Sequence, residues 1–322
     1  MVAYWMLNRS KVVTPRHTAP MRGIMPKQHA ILPFIAALLG VGFLSLMDAF
    51  MKSAALAAGA YSAALLRSTI AAGLIAPVWL GTRPTWPERH VLKLHVLRGT
   101  VSGFMALSFF YAITKLPIAE AIAISFIAPL IALYLAAILL GESIQRKAII
   151  ASFLGLIGTM IIISGRLGAA DYDTETLKGL AAILFSALLY AYNFIVIRRQ
   201  AQVSTPLEAT TFHSGVAGLV LAVFAPWFFA TPELHVMGDL AAAAILTLLG
   251  SFAITWAYAR AETQALVPME YSGFLWAALF GWLFFKETIT ITAIAGTILI
   301  VIGCWIAAKQ RPKLPQTEQS AL

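Results

Sequence analysis

The chain has 322 residues, of which 60% are hydrophobic and 11% charged, with a mean hydropathy of +0.83. Water-soluble domains carry about twice that charged fraction, so a soluble globular fold is excluded. One cysteine, Cys304, allows no intramolecular disulfide, and the net charge of +9 is spread in a pattern that orients helices rather than one that grips nucleic acid.

Residues 1–30 are basic and polar with no apolar run before Ile31. They read as a cytoplasmic tail, not a cleaved secretory signal, with Met21 and Met25 as alternative starts. A membrane-crossing helix needs about 20 apolar residues. Ten such stretches follow, at 31–52, 61–80, 94–114, 118–140, 147–165, 178–197, 208–230, 239–259, 264–285 and 289–308. Their patterning is not the alternation of a membrane barrel. The acidic segment between Gly165 and Leu177, with Asp171, Asp173 and Glu175, separates two sets of five. With the N-terminus in the cytoplasm, 17 of the 23 Lys and Arg residues fall on the cytoplasmic side. This positive-inside excess places both termini there and the acidic linker outside.

The two sets are related. Residues 107–163 lie over 252–308 at a constant offset of 145, which sets Tyr111 on Trp256, Phe126 on Tyr271 and Gly141-Glu142 on Lys286-Glu287. Because each set has an odd number of spans, the second copy runs upside down. The expected fold is an all-α integral membrane protein of ten helices in two inverted five-helix repeats, residues 31–165 and 178–308. A cytoplasmic tail, 309–322, follows them.

Ionisable groups inside a span cost about 2.5–3.5 kcal/mol each on insertion scales, so each needs a reason. Asp48 and Lys52 stand four apart in span one, the spacing of a helical ion pair. They serve as a self-neutralising pair or, with Arg67 and Glu120, as an outer gate or substrate-contact cluster. Arg67, two turns into span two, must face a carboxylate, carbonyls or water; Asp48 or Glu120 is the expected partner, an anionic substrate group the alternative. His213 in span seven and Glu270 in span nine can titrate, and either could carry a coupling proton. Glu270, just after Pro268, serves equally as a fixed negative wall. Tyr111, Phe126, Tyr190, Tyr192, Trp256, Tyr271 and Trp276 offer stacking faces for a planar or heterocyclic solute, and Asn193 offers an amide. Pro129, mid-span, either exposes a carbonyl or merely kinks its helix. Gly99 and Gly103, Gly155 and Gly158, and Gly215 and Gly218 mark close helix contacts.

Arg98-Gly99, Phe110-Tyr111-Ala112, Pro117-Ile118-Ala119-Glu120-Ala121, Ser125-Phe126-Ile127-Ala128-Pro129-Leu130 and Leu140-Gly141-Glu142 together resemble the drug/metabolite transporter superfamily, in its ten-helix EamA-type branch. Leu66-Arg67-Ser68, Glu270-Tyr271-Ser272, Leu275-Trp276-Ala277 and Lys286-Glu287 resemble the same branch, although a glycine is usual where Lys286 stands. The resemblance implies two five-helix halves around a cavity lined mainly by spans one, three, four, six, eight and nine. Asp48, Lys52, Arg67, Tyr111, Glu120, Ser125, Phe126, Pro129, Tyr192, Asn193, His213, Trp256, Glu270, Tyr271 and Trp276 are the candidate binding or gating residues. It also implies a secondary carrier in a bacterial inner membrane, for an amino acid, nucleoside, vitamin or similar metabolite, driven by an ion gradient, by exchange or by neither. The expected partners are a small-molecule substrate, the bilayer, and a coupling proton or exchanged solute, with no nucleic acid. There is no nucleotide loop, no HExxH and no Cys/His cluster, so no cofactor, metal or enzymatic activity is expected. A lipid-modifying enzyme or a non-transporting receptor is the alternative class.

Overall fold

The computed structural model describes residues 31–140, 146–167, 174–200, 203–258, 269 and 271–308. Among them are twelve helices and no strand. In chain order these are α1 (Leu32–Ala58), α2 (Ala60–Gly81), α3 (Arg89–Lys115), α4 (Ile118–Ser125), α5 (Ala128–Leu140), α6 (Arg146–Leu167), α7 (Thr174–Gln200), α8 (Pro206–Ala222), α9 (Ala225–Phe228), α10 (Leu234–Tyr258), α11 (Ser272–Phe285) and α12 (Ile291–Ala308). Six helical runs are long and apolar enough to cross a membrane, Ile118–Leu139 being counted as one, and three shorter apolar helices lie at Ser152–Gly165, Ser272–Phe285 and Ile291–Gly303.

Local sequence explains the joints. Gly59 alone separates α1 from α2 and takes φ +82°, open to glycine without steric cost. Thr205 caps α8, its Oγ1 accepting from the Glu208 N–H at 3.2 Å, with Pro206 at the first helical position. The fourth apolar stretch, expected as one helix over 118–140, is broken at Phe126–Ile127. Pro129 has no N–H for the carbonyl of Ser125, four residues back, so the ladder tightens there: Ile127 N–H reaches Ile124 O at 3.1 Å.

Small residues set the helix contacts, as close backbone approach does in lipid. A Cβ at Gly158 of α6 would stand 2.5 Å from the Gly296 carbonyl oxygen of α12, and one at Gly296 would stand 2.4 Å from the Gly158 carbonyl. Gly99 of α3 admits Val216 of α8. Gly40 of α1 lies against Ile254 and the Gly250 carbonyl of α10, and Gly250 against Leu44. Beyond these, α3 packs on α7, α2 on α8 and α10, α1 on α11, α4 on α7 and α11, and α5 on α7. The main buried cluster draws Met51 from α1, Ile113 from α3, Ile118 and Ile124 from α4, and Ile183 from α7.

Candidate functional site

Polar side chains gather at three levels of this bundle. At one end, the C-terminal part of α1 presents Lys52, six residues before its end, to a gap between α3 and α4. The break at Pro117 leaves the Leu116 carbonyl and the Ile118 N–H outside any continuous helix, a donor and an acceptor in want of partners. Lys52 Nζ donates to Leu116 O at 2.8 Å and is ion-paired with Glu287 Oε1, while Glu287 Oε2 accepts from Ile118 N–H at 2.9 Å. Beside them the buried Glu120 accepts from Thr290 Oγ1 at 3.0 Å. Sequence spacing pointed Lys52 to Asp48; the carboxylate it meets is 235 residues away in the chain. Lys286, just before it, ends α11 at φ 56° and ψ 30°, the left-handed conformation glycine adopts freely. The backbone therefore keeps the turn at which glycine is usual, at a cost of roughly 1–2 kcal/mol. Lys286→Gly is expected to raise the apparent melting temperature of the purified protein by a few degrees; a drop would show that the lysine side chain itself stabilises the turn.

At the other end, α3 begins with a chain of side-chain bonds that sequence reading missed. Arg98 Nη1 donates to Gln200 Oε1 at the end of α7. That orientation turns the Gln200 amide nitrogen to His95 Nδ1, 2.6 Å away, and leaves His95 Nε2–H to donate to Glu208 Oε1 at 2.8 Å. The His95 ring stacks on Phe212 with centroids 4.5 Å apart. The legible trace was Thr205-x-x-Glu208, a helix-start pattern. From His95 to Leu116, α3 rises roughly 30 Å, the thickness of a bilayer's hydrocarbon core. The two polar knots thus stand about one hydrocarbon-core thickness apart along α3.

Between the two knots lie most of the candidate residues. Arg67, 9% exposed, donates from Nη1 to Thr247 Oγ1 of α10 at 3.3 Å and lies over the Phe110 ring, 5.3 Å from its centroid. Its Nε has no partner among the described residues. Asp48 is half-buried on α1, and neither an ion pair nor a hydrogen bond joins it to Arg67. Neither expected carboxylate therefore contacts Arg67: Asp48 stands off, and Glu120 belongs to the Lys52 end. His213, half-buried on α8, feels Arg98 and Arg67. Asn193, buried on α7, accepts from Ser102 Oγ of α3 at 3.4 Å.

The aromatic candidates divide. Phe126, at the break between α4 and α5, meets Tyr271, its repeat mate, edge to face with centroids 5.3 Å apart. Ser125 Oγ is turned back onto the Ala121 carbonyl at 2.9 Å, and Pro129 is half-buried just beyond. Trp276 lies flat against Gly42 and stacks on Phe280, its Nε1 unpartnered among the described residues. Tyr111 takes Lys115 over its ring at 5.9 Å. Tyr192 is half-buried on α7, and Tyr190 stacks on Phe194. Trp256 belongs to an exposed stripe with Ile245, Leu249 and Phe252, on the side of α10 away from α1. Glu270 lies outside the described residues, as do Pro268 and Gly141-Glu142. No group of three or more His, Cys, Asp or Glu side chains able to hold a metal occurs among the described residues.

The EamA-like transporter family model matches residues 31–164 and again 177–308. The chain belongs to the EamA-like transporter family. Among family relatives it is 27% identical over 264 residues to the pseudopaline exporter CntI of Pseudomonas aeruginosa, spanning 81% of this chain and 90% of that one. It is 25% identical to an S-adenosylmethionine uptake transporter of Rickettsia bellii, over 65% of this chain and 69% of the other. To a riboflavin transporter of Brucella anthropi the figures are 26%, 65% and 73%. A crystal structure with 21% identity superposes at a TM-score of 0.58 over 88% of this chain and 97% of that one, a likeness of fold. Family membership and the apolar helices together make this a multi-pass membrane protein.

Proposed function

We propose that the protein is a secondary carrier of a bacterial inner membrane, moving a small polar metabolite by alternating exposure of a site between its two halves. In this reading it has ten spans, α4 and α5 together forming the fourth, both termini are cytoplasmic, and residues 31–165 and 178–308 are inverted copies around the external linker 166–177. The observation that supports the reading is a set of helix contacts between the halves that map onto one another when the halves are exchanged. Replace α1 by α7, α2 by α8, α3 by α10, α4/α5 by α11 and α6 by α12. The pair α1·α10 then becomes α7·α3, α1·α11 becomes α7·α4/α5, and α2·α10 becomes α8·α3, all of them observed. The pairs α2·α8, α4·α11 and α6·α12 map onto themselves. Two-fold pseudo-symmetry of this kind gives a carrier similar gates on its two sides. The relatives' named cargoes, S-adenosylmethionine and riboflavin among them, support a small-metabolite substrate here.

Phe126, Tyr271, Trp276, Tyr111, Asn193 and Tyr192 are proposed to line the path, Asp48 and Arg67 to contact substrate, and the Lys52 and Glu120 groups to close the outer rim. Glu270, with His213 second, is the proposed coupling residue on sequence grounds. Purified protein in liposomes is expected to show counterflow of at least one preloaded solute from a panel of amino acids, nucleosides and vitamins. No counterflow with any of them would defeat the proposal. If a proton drives uptake, Glu270→Gln should abolish pH-driven accumulation and leave exchange intact; loss of both would remove Glu270 from coupling.

A further inference from the structure

The middle of the bundle holds a carboxyl group, Asp48, and a guanidinium, Arg67, with no hydrogen bond or ion pair between them. Their relative placement follows from the helix contacts. Along α1 and α10, Gly40 meets Ile254, Leu44 meets Gly250 and Ser53 Oγ donates to Asp239 Oδ2 at 2.8 Å, an antiparallel ladder. Interpolating along it sets Asp48 level with Thr247, whose hydroxyl accepts from Arg67. An offset of 145 carries Asp48 to Asn193 and Thr247 back to Ser102, and Ser102 is hydrogen-bonded to Asn193. That pair is neutral and closed, whereas Asp48 has no such bond to Thr247.

Asp48 has no hydrogen bond or ion pair among the described residues, and Arg67 keeps an unpartnered Nε on a side chain only 9% exposed. Leaving charges incomplete at this depth is costly, because nothing in the hydrocarbon core replaces their hydration. A simple anion at Arg67 would meet the carboxylate of Asp48, and a simple cation at Asp48 would meet the guanidinium. A solute carrying both charges on neighbouring carbons satisfies both and leaves no net charge behind. From this geometry we infer that Asp48 and Arg67 form a head-group subsite for the zwitterion of an α-amino acid. Asp48 accepts from its ammonium, Arg67 Nε–H donates to its carboxylate, and Phe110 and Thr247 hold the guanidinium in place. Charge-assisted bonds of this kind are about twice as strong as neutral ones, and they fix the orientation of the bound solute.

The inference rests on the carrier reading and names its substrate class. Its test is counterflow in proteoliposomes with each of the twenty labelled L-amino acids, followed by competition with derivatives of the one that responds. The amide, which keeps the ammonium alone, and the N-acetyl derivative, which keeps the carboxylate alone, are each expected to compete at least tenfold more weakly than the parent. In Asp48→Asn the preference for the parent over its N-acetyl derivative should collapse. If that variant does not fold, the derivative series on the unaltered protein decides by itself. Equal competition by either derivative overturns the subsite. Counterflow of a nucleoside or vitamin with none of any amino acid also overturns it and leaves the carrier reading standing, whereas silence from every solute brings down both.

Discussion

Glu287→Ala is expected to be among the most damaging single changes in the chain. The carboxylate serves two elements at once, neutralising Lys52 from α1 and accepting the Ile118 N–H at the start of α4. Its own backbone N–H closes on the Gly281 carbonyl at 3.1 Å, so α11 is tied into the same knot. The side chains of Lys52 and Glu287 are 8% and 14% exposed. Removing one member of a buried pair costs about 3–5 kcal/mol, chiefly because the other charge stays buried. Replacing both by apolar groups of similar volume is often neutral. The expected order of survival after heating in detergent is therefore wild type, then Glu287→Gln, which keeps an acceptor for Ile118, then Glu287→Ala. A Lys52→Met/Glu287→Gln double variant should recover part of the loss. If Glu287→Ala melts with the wild type, the ion pair does not hold this rim together.

Arg67→Ala should be nearly as costly, for a different reason. Arg67 touches Thr247 of α10 and Phe110 of α3, and its charge opposes that of Asp48 on α1, so three neighbouring helices converge on one guanidinium. Its loss leaves the Asp48 carboxylate without a counter-charge in the span, as well as a void beneath Phe110. Arg67→Ala with Asp48→Asn should lose less than the sum of the two single changes. A coupling of about 0.5–3 kcal/mol is the range expected for charges that act on each other. Folded yield by size exclusion and retention after heating give the cycle; strict additivity would mean that the two charges are independent.

How much of this was legible depends on the range of the interaction. The apolar runs, the positive-inside excess, the repeat offset and the glycine pairs are local or periodic signals, and the family resemblance rests on short runs such as Ser125-Phe126-Ile127-Ala128-Pro129-Leu130, legible in the same way. Span four illustrates the boundary: its apolar run was plain, and Pro129 read as exposing a carbonyl or kinking the helix, whereas the run is broken at Phe126–Ile127. The usual glycine before Glu287 is another case. Lys286 looked like a departure, but the turn is set by the Glu287 bonds and α11 packing, which carry a left-handed lysine.

The pairings escaped because sequence spacing sees only the same helix. Lys52 looked four residues back to Asp48 and instead met Glu287 from the opposite half of the chain. Arg67 was given two carboxylates to choose between and bonds a threonine. His95 lies inside α3, Gln200 ends α7 and Glu208 stands in the first turn of α8, and only the meeting of those three helices makes them one network. Trp256, the repeat mate of Tyr111, lies on an exposed face of α10, which spacing alone does not reveal.

From the amino-acid order alone came the membrane class, the repeat and the family, because burial in lipid demands long apolar helices whose length and flanking charge are written residue by residue. The tertiary structure alone decided which charges meet. In a bundle, the partner of a buried ion is chosen by helix rotation and depth, quantities that arise from packing between distant segments.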